Sequence, residues 1–297
     1  MTSGSAMKFA SYNIQYGTGK DGRVDIDRIC REIEGADIMA LQEVDRCWER
    51  TGNADLKAEI AANFPDYYWV YGAGLDLEGS YKDDSGRVVH RRRQFGNMVL
   101  SRHPILASRN HTLPKLAMVE QVSMHRTALE GVIETPSGPL RVFSVHLAHA
   151  AAPERLSQIA KLQKVLNGSR IEGAALTGPP GMDKTWSLEG APPPLAHSAI
   201  LMGDFNLKPD SAEYVALCGP MDDKYGRITP MDGLIDCWIA AGNDAQGGGT
   251  MPRKNGGIDR IDYAFVTADL ARKVESMRVD AEAQGSDHQP IWVELDL

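Results

Sequence analysis

Residues able to bind a metal ion or a phosphate stand at the ends of several short apolar runs in this 297-residue chain. They are Asn13, Glu43, His146, Asp204 with Asn206, Asp262, and Asp287 with His288. A strand with one face in water would alternate polar and apolar residues along its whole length. In α/β sheets, the ends of separate strands converge on a shared cleft. The pattern therefore predicts one site, built from distant segments, whose carboxylates, amides and imidazoles hold a cation and bind an anion.

Taken one at a time, these residues have ordinary structural explanations. Asn13 is equally suited to capping a turn, and Glu43 to ending a strand at the surface. Asp204 could form an Asx turn, and Asp287 and His288 could lie in a solvated loop. The prediction of a site therefore depends on the combination of residues.

The apolar runs that precede these residues have the length of β-strands. They cover residues 8–13, 38–43, 96–101, 127–134, 140–146, 199–204, 260–266 and 291–297. The stretch 127–146 has the form of a hairpin that turns at residues 136–139. Hairpins and helices together favour an α/β fold whose sheets are not purely parallel.

Two segments have the apolar spacing of an amphipathic helix. The first is 25–33, and the second is 153–166, which begins with a proline suited to a first helical turn. The predicted buried face of the second helix consists of Leu156, Ile159, Leu162 and Leu166. Asp210, followed three residues later by Glu213, is typical of a capping box and predicts a further short helix.

Three polar or glycine-rich stretches are predicted to be loops, at residues 75–94, 168–197 and 242–257. Strand signals continue on both sides of each loop, so none is expected to be a linker between domains. We therefore expect one domain over residues 7–297, with residues 1–6 as a disordered start or a remnant of cloning. The 168–197 insertion is long for a compact domain, and such loops are commonly lids or disordered segments.

Composition excludes several classes of protein. The chain is 42% hydrophobic and 24% charged, which excludes collagen-like, disordered and disulfide-scaffold proteins. Its formal charge of −8 gives no general attraction to nucleic acid or to anionic membranes, although a local basic groove would still allow a nuclease.

The chain shows no apolar stretch of membrane-spanning length and no secretory signal pattern at its start, so we expect a cytoplasmic location. Its four cysteines form no CxxC pair, which argues against a zinc knuckle or a disulfide framework and predicts free thiols.

The combined motifs resemble the endonuclease/exonuclease/phosphatase superfamily, which has the deoxyribonuclease-I-like fold. The motifs are SYNI at 11–14, LQEV at 41–44, GNMVLSRHPI at 96–105, SVHL at 144–147, GDFN at 203–206, RIDY at 260–263 and GSDHQP at 285–290. They follow in the family's order and cover nearly the whole chain. The resemblance implies a four-layer α/β/β/α sandwich, in which two packed mixed β-sheets are flanked by helices.

The resemblance also implies metal-dependent hydrolysis of phosphate esters, with Mg²⁺ as cofactor and Mn²⁺ as a substitute. The matching metal-binding residues are Glu43 and Asp287, with Asn13 adjacent. A ligand set made only of oxygen atoms fits Mg²⁺, which keeps several of its waters. The absence of cysteine from this set argues against structural zinc.

Catalytic roles are implied for the other motif residues. By resemblance, Asp204 orients or deprotonates the attacking water, and Asn206 donates a hydrogen bond to a phosphoryl oxygen. The spacing of these two residues predicts that both side chains lie on the same side of an extended segment. Asp262 is expected to orient His288.

The two imidazoles of His146 and His288 are both expected to contact phosphate, and a positive charge would strengthen that contact. His146 is expected either to stabilise the transition state or to protonate the leaving group, and both roles stay open. Arg126 is equally suited to contacting phosphate and to forming a structural ion pair at a strand start.

Other residues are weaker candidates. His149 could join a second metal, although a surface histidine is the commoner outcome at such a position. The basic run 90–93 could bind an anionic substrate or could be a solvated hairpin face. Trp48 and Trp186 could wall a pocket, although aromatic residues usually serve packing.

Three functions are therefore considered. The favoured one is a phosphodiesterase that acts on a small or lipid-derived phosphate ester. The first alternative is a DNA or RNA nuclease with the same residues, which makes nucleic acid a possible but disfavoured partner. The second is an inactive scaffold, which is disfavoured because every expected carboxylate and histidine is present. Nothing in the sequence requires a protein partner.

Overall fold

A computed structural model describes residues 6–177, 194–253 and 255–297. Its strands are β1 (Met7–Asn13), β2 (Ile38–Arg46), β3 (Tyr68–Glu78), β4 (Tyr81–Lys82), β5 (Val88–Val89), β6 (Arg92–Ser101), β7 (Ile105–Thr112), β8 (Thr127–Thr135), β9 (Gly138–His146), β10 (Ala199–Asp204), β11 (Met221–Asp222), β12 (Gly226–Arg227), β13 (Leu234–Asp236), β14 (Met251–Pro252), β15 (Ile258–Asp259), β16 (Asp262–Thr267), β17 (Val274–Val279) and β18 (Ile291–Leu295). Its helices are α1 (Ile26–Glu32), α2 (Leu56–Asn63), α3 (Ala152–Glu172), α4 (Ala212–Cys218) and α5 (Cys237–Ala240), with 3₁₀ turns at Gln15–Gly17, Glu49–Thr51 and Ala268–Lys273.

Twelve of these strands form two six-stranded sheets. The first sheet has the order β17-β18-β1-β2-β6-β3, and the second has the order β13-β16-β10-β9-β8-β7. The pairs β1 with β2 and β9 with β10 are parallel, and the remaining neighbours are antiparallel. Both sheets are therefore mixed, as expected.

The central strands are apolar along their length because both of their faces are buried. In β1, Phe9 points into the core between the two sheets, whereas Tyr12 points into a second core beneath α1 and α2. In β10, Ile200 likewise faces the other sheet, whereas Leu201 faces α3 and α4. This alternation builds the predicted four-layer α/β/β/α sandwich.

The long helix α3 packs on the second sheet through Ile159, Leu162 and Leu166, as predicted. Leu156 was wrongly placed on that face, since its side chain is exposed. At about 100° of rotation per residue, Leu156 lies roughly 120° from the middle of the buried stripe.

The predicted capping box of α4 is also wrong. The side chain of Ser211, not that of Asp210, accepts the hydrogen bond from the backbone N–H of Tyr214. Asp210 has a left-handed backbone with φ of 62° and lies outside the helix.

All three predicted loops contain some regular structure. Within 75–94, β3 continues to Glu78 and β6 begins at Arg92, and these two residues pair with each other. Within 168–197, α3 continues to Glu172. Residues 178–193 of that stretch, including Trp186, lie outside the described residues. The third stretch, 242–257, is largely irregular, but β14 within it pairs with β15.

All four cysteines are free thiols, as expected. Among the described residues, no helix combines the length and the apolar character needed to cross a membrane.

A buried ionic cluster ties α3 to the second sheet. Glu130 on β8 accepts hydrogen bonds from Arg141 (2.7 Å), Arg109 (3.2 Å) and His111 (2.6 Å). Arg141 also donates to two backbone carbonyls of α3, at residues 165 and 166. Burial alone would raise the pKa of Glu130, but the hydrogen bond from His111 and the charge of Arg141 lower it to about 2.

We predict that Glu130→Gln lowers the free energy of unfolding by about 3–5 kcal/mol, because it leaves the Arg141 guanidinium buried without its counter-charge. In the unaltered protein the pKa of folded Glu130 lies below the ordinary value of 4.5. The stabilisation that ionised Glu130 gives the folded state is therefore present above pH 4.5 and is lost as the pH falls towards 2. Urea unfolding at neutral and acidic pH measures both effects. Glu134→Gln, at an exposed position of the same strand, is the control. Equal losses for the two variants at neutral pH would contradict the prediction.

Candidate active site

The second sheet brings three of the predicted site residues into one row. Asp204, at the end of β10, pairs in register with His146 at the end of β9 and with Asp262 at the start of β16. Side chains in one row of neighbouring strands point to the same face and lie close together. Three segments far apart in sequence thus meet at one edge of the sandwich.

The carboxylate of Asp204 lies at the centre of this group. Its Oδ2 lies 3.1 Å from Nδ2 of Asn13, 3.4 Å from Nε2 of His146 and 3.8 Å from Nε2 of His288. Burial raises the pKa of Asp204, and the charge of His288 opposes that rise. The first sheet contributes Asn13, so the site lies where the two sheets face each other.

Asp262 and His288 form a close pair, as the resemblance implied. Nδ1 of His288 donates to Oδ2 of Asp262 over 2.8 Å. Burial would lower the pKa of His288, but the charge and hydrogen bond of Asp262 raise it to about 10. His288 is therefore a cation at neutral pH.

His146 has the opposite character. Nη1 of Arg126 donates to Nδ1 of His146 over 2.9 Å, so Nδ1 is the acceptor and the ring proton lies on Nε2. Burial lowers the pKa of His146, and the charges of Arg126 and His288 lower it further. His146 therefore lacks the positive charge that would strengthen its expected contact with phosphate, because it is buried and its partner is a guanidinium.

Glu43 lies on an irregular part of β2. The register of β2 against β6 shifts between Leu41 and Val44, and Glu43 has a left-handed backbone with φ of 63°. Bulges and strained conformations of this kind re-aim side chains and cluster at functional sites. Oε1 of Glu43 lies 3.3 Å from Nδ2 of Asn13, so the bulge directs this carboxylate into the same group.

The chemistry of Glu43 and Asp287 fits a divalent cation. Burial raises the pKa of Glu43, and the charge of Asp287 adds to that rise. Neither carboxylate forms a salt bridge to a lysine or arginine within the described part of the chain. Carboxylates that repel each other and have no such partner are unfavourable until a cation joins them.

Asn13 bridges the two halves of the site. Its Nδ2 faces Glu43 and Asp204, and its Oδ1 accepts from the backbone N–H of Gln15 over 3.1 Å. Its carbonyl accepts from Oγ of Ser286, next to Asp287. A role for Asn13 as a metal ligand stays a prediction.

A second group also has the composition of a metal site, since ligand atoms of Asp204, Asp262 and His288 lie within 4.8 Å of one another. A protonated imidazole has no free lone pair with which to bind a metal. Which of the two groups holds the cation stays a prediction, and the resemblance implies Glu43 and Asp287.

Asn206 does not continue an extended segment beyond Asp204, so that prediction is wrong. Oδ1 of Asp204 accepts from the backbone N–H of Asn206 over 2.9 Å, and this Asx turn places Asn206 at φ of 51°. The Asn206 amide donates to the carbonyl of Leu147 over 3.2 Å and still lines the site.

A cavity of about 760 Å³ lies against part of this group, and its lining does not include Asn13, Asp262 or Asp287. Of the predicted residues, it is lined by Glu43, Trp48, Arg126, His146, His149, Asp204, Asn206 and His288. The two imidazoles thus share one cavity. His149 lies 3.5 Å from Nη2 of Arg126, and its role in a second metal site stays a prediction.

The basic run 90–93 does not line this cavity. Within the run, Arg92 forms ion pairs with Asp76 and Glu78 on the neighbouring strand. It therefore belongs to a hairpin face, which was one of its two interpretations.

Sequence reasoning missed other lining residues. They are Tyr16, Arg50, Leu75, Leu77, Phe95, Lys115, Val122, Ser123, Met124 and His125. They have no common spacing and no shared chemistry, so only their position in space reveals them.

The sequence profile of the endonuclease/exonuclease/phosphatase family matches residues 10–288. The chain belongs to this family. The match covers the row of His146, Asp204 and Asp262 as well as Glu43 and His288. Hydrolysis of phosphate esters is the reaction class of the family.

Solved structures share the fold. A family protein from Leptotrichia buccalis is 18% identical, with 98% of this chain and 100% of that chain covered and a TM-score of 0.64. A mannosyl-6-phosphatase from Bacteroides thetaiotaomicron is 18% identical, with 98% and 99% covered and a TM-score of 0.61. Truncated TDP2 from Caenorhabditis elegans is 18% identical, with 97% and 96% covered and a TM-score of 0.52. No curated protein matches the chain in sequence.

We predict that the two imidazoles differ in protonation when the protein is kept free of metal. His288 stays doubly protonated up to about pH 9, because its pKa is raised to about 10, whereas His146 is neutral at pH 7 with its proton on Nε2. Nitrogen-15 NMR of the histidine rings reads both states. Asp262→Asn is expected to lower the pKa of His288, because it removes the carboxylate charge beside the ring. A His288 that titrates near its ordinary pKa in the unaltered protein would contradict this account.

Proposed function

We propose that the chain is a divalent-metal-dependent phosphodiesterase, in which a water molecule attacks the phosphorus of a small or lipid-derived phosphate ester. The observation that carries the proposal is the row of His146, Asp204 and Asp262, of which His146 and Asp204 line a cavity together with Glu43 and His288. That arrangement combines a cation site, an anion site and a proton acceptor.

Glu43 and Asp287 would hold the cation, with Asn13 adjacent. Their oxygen ligands suit Mg²⁺, with Mn²⁺ as a substitute. When bound, the ion supplies a Lewis acid that stabilises charge on a phosphoryl oxygen.

The phosphate is bound by one cationic and one neutral hydrogen-bond donor. His288 is held as a cation by Asp262 and donates from Nε2 to a phosphoryl oxygen. Asn206 uses one amide N–H for Leu147 and has a second N–H to donate to the phosphate.

Asp204 orients the attacking water and accepts its proton as the new O–P bond forms. His146 donates a hydrogen bond from Nε2 to the leaving oxygen as the bond between that oxygen and phosphorus breaks, and the departing oxygen takes its proton from water. Since Arg126 keeps His146 neutral, this contribution is stabilisation of charge by a fixed donor. This geometry favours transition-state stabilisation over full proton transfer by His146.

The shape of the site favours a small or lipid-derived substrate over a nucleic acid. Trp48, Leu75, Leu77 and Phe95 supply an apolar wall next to the polar floor. Within the basic run 90–93, which a nuclease could have used, Arg92 is engaged by Asp76 and Glu78 instead.

Hydrolysis of bis(p-nitrophenyl) phosphate with Mg²⁺ or Mn²⁺ tests the proposal. We expect turnover that a chelator abolishes and either metal restores, because the Glu43 and Asp287 carboxylates need a cation. His288→Ala is expected to lower the rate at least about 10²-fold, since it removes a fixed charge from the phosphate.

His90→Ala, at an exposed position outside the cavity, is the matched control and should retain full activity. Activity that resists the chelator, or a His288→Ala rate near that of the unaltered protein, would refute the proposed mechanism.

A further inference from the structure

Arg50 lies on the wall of the same cavity, and nothing in the proposed reaction uses it. Its Nε and Nη2 donate to the two carboxylate oxygens of Asp45, each over 2.7 Å. The side chain of Asp45 is 0% exposed, whereas that of Arg50 is 41% exposed. A buried carboxylate therefore holds a partly exposed guanidinium in one orientation.

Three aromatic rings surround the same guanidinium. Its central carbon lies 4.2 Å from the ring centre of Tyr16, 5.0 Å from that of Trp48 and 5.5 Å from that of Phe95. Aromatic faces attract a cation and fix its plane. We refer to Arg50, Asp45, Tyr16, Trp48 and Phe95 as the Arg50 cage.

The loop that carries Arg50 is fixed at several points. The backbone N–H of Cys47 donates to the carbonyl of Ala54 over 2.7 Å. The indole of Trp48 donates to the carbonyl of Gln94 over 2.8 Å, and Arg46 pairs with Asp55 over 2.9 Å. The cage is therefore built before any ligand arrives.

One edge of the guanidinium stays available. Asp45 uses the N–H of Nε and one N–H of Nη2, which leaves three of the five donors of Arg50. Within the described part of the chain, Nη1 makes no hydrogen bond. The edge formed by Nη1 and Nη2 has the spacing that binds a carboxylate or phosphate through two hydrogen bonds.

Exposure separates the cage from the floor of the cavity. The side chains of His146 and Asp204 are each 3% exposed and that of His288 is 8% exposed, against 41% for Arg50. A phosphate bound at the floor would therefore leave Arg50 to a different group of the same molecule.

We infer that the Arg50 cage binds a second anionic group, either phosphate or carboxylate, on a small substrate whose scissile phosphate lies at the floor. This inference rests on the proposed function. The alternative is that Arg50 and Asp45 only fix the loop.

Three ligands with one flexible four-carbon chain test the inference, and isothermal calorimetry measures their binding with Mg²⁺ and again with a chelator. They are butyl phosphate, butanediol bisphosphate and phosphonooxybutanoate, which carry no second anion, a second phosphate and a carboxylate. We expect one of the latter two to bind at least about tenfold more tightly than butyl phosphate, and its identity tells phosphate from carboxylate.

Arg50→Gln should abolish that preference, and Arg50→Lys should abolish most of it, because an ammonium lacks the planar fork. Butyl phosphate should bind these variants and the unaltered protein equally well. Arg46→Gln is the matched control, since Arg46 supports the same loop through Asp55 but does not line the cavity, and it should keep the preference. Thermal unfolding of each variant confirms that it is folded.

The inference is wrong if the unaltered protein shows no preference, if no ligand binds under either condition, or if Arg46→Gln loses the preference as Arg50→Gln does. It is also wrong if Arg50→Gln weakens all three ligands equally, because Arg50 would then contact the scissile phosphate. Failure of the proposed function is distinguishable, since the preference would persist in a protein that does not hydrolyse phosphate esters.

Discussion

The pairing of β10 with β9 on one side and β16 on the other is the constraint on which the site depends. It sets Asp204 in register between His146 and Asp262. Gly203, the preceding residue, allows this approach, since a Cβ there would lie 1.9 Å from the carbonyl oxygen of Val145. Any side chain at that position would push β9 away from β10 and break the row.

The charge of each imidazole in the site is set by the one side chain that its Nδ1 contacts. His288 faces a carboxylate and is held as a cation, whereas His146 faces a guanidinium and is held neutral. Burial makes each partner decisive, because solvent screens these charges only weakly. Two histidines in one cavity can thus supply a permanent charge and a neutral donor. The same sandwich also carries the Arg50 cage, in which burial of Asp45 fixes a cation at the rim.

The sequence was sufficient to predict the eight interior strands of the two sheets, because burial on both faces makes them continuous apolar runs. Within these two sheets the four strands that it missed are β3, β7, β13 and β17, and these are the four edges of the sheets. An edge strand pairs on one side only and carries polar residues, so it lacks that signal.

The site residues could be located from the sequence for a related reason. Asn13, His146 and Asp204 end interior strands, so the apolar run marks their position. The charge state of His146 could not be predicted, since its decisive contact is with Arg126, which is distant in sequence. The left-handed conformation of Glu43 and the cage around Arg50 likewise depend on backbone geometry and on contacts in space.

The central claim is that one cavity holds a cation on one side and a phosphate on the other. A crystal structure with Mn²⁺ and inorganic phosphate, with the metal located by anomalous scattering, tests it most directly. The account predicts a metal peak bound by the carboxylates of Glu43 and Asp287, and a phosphate in hydrogen-bonding contact with His288 and Asn206. A metal bound instead between Asp204, Asp262 and His288, or a phosphate outside this cavity, would contradict it.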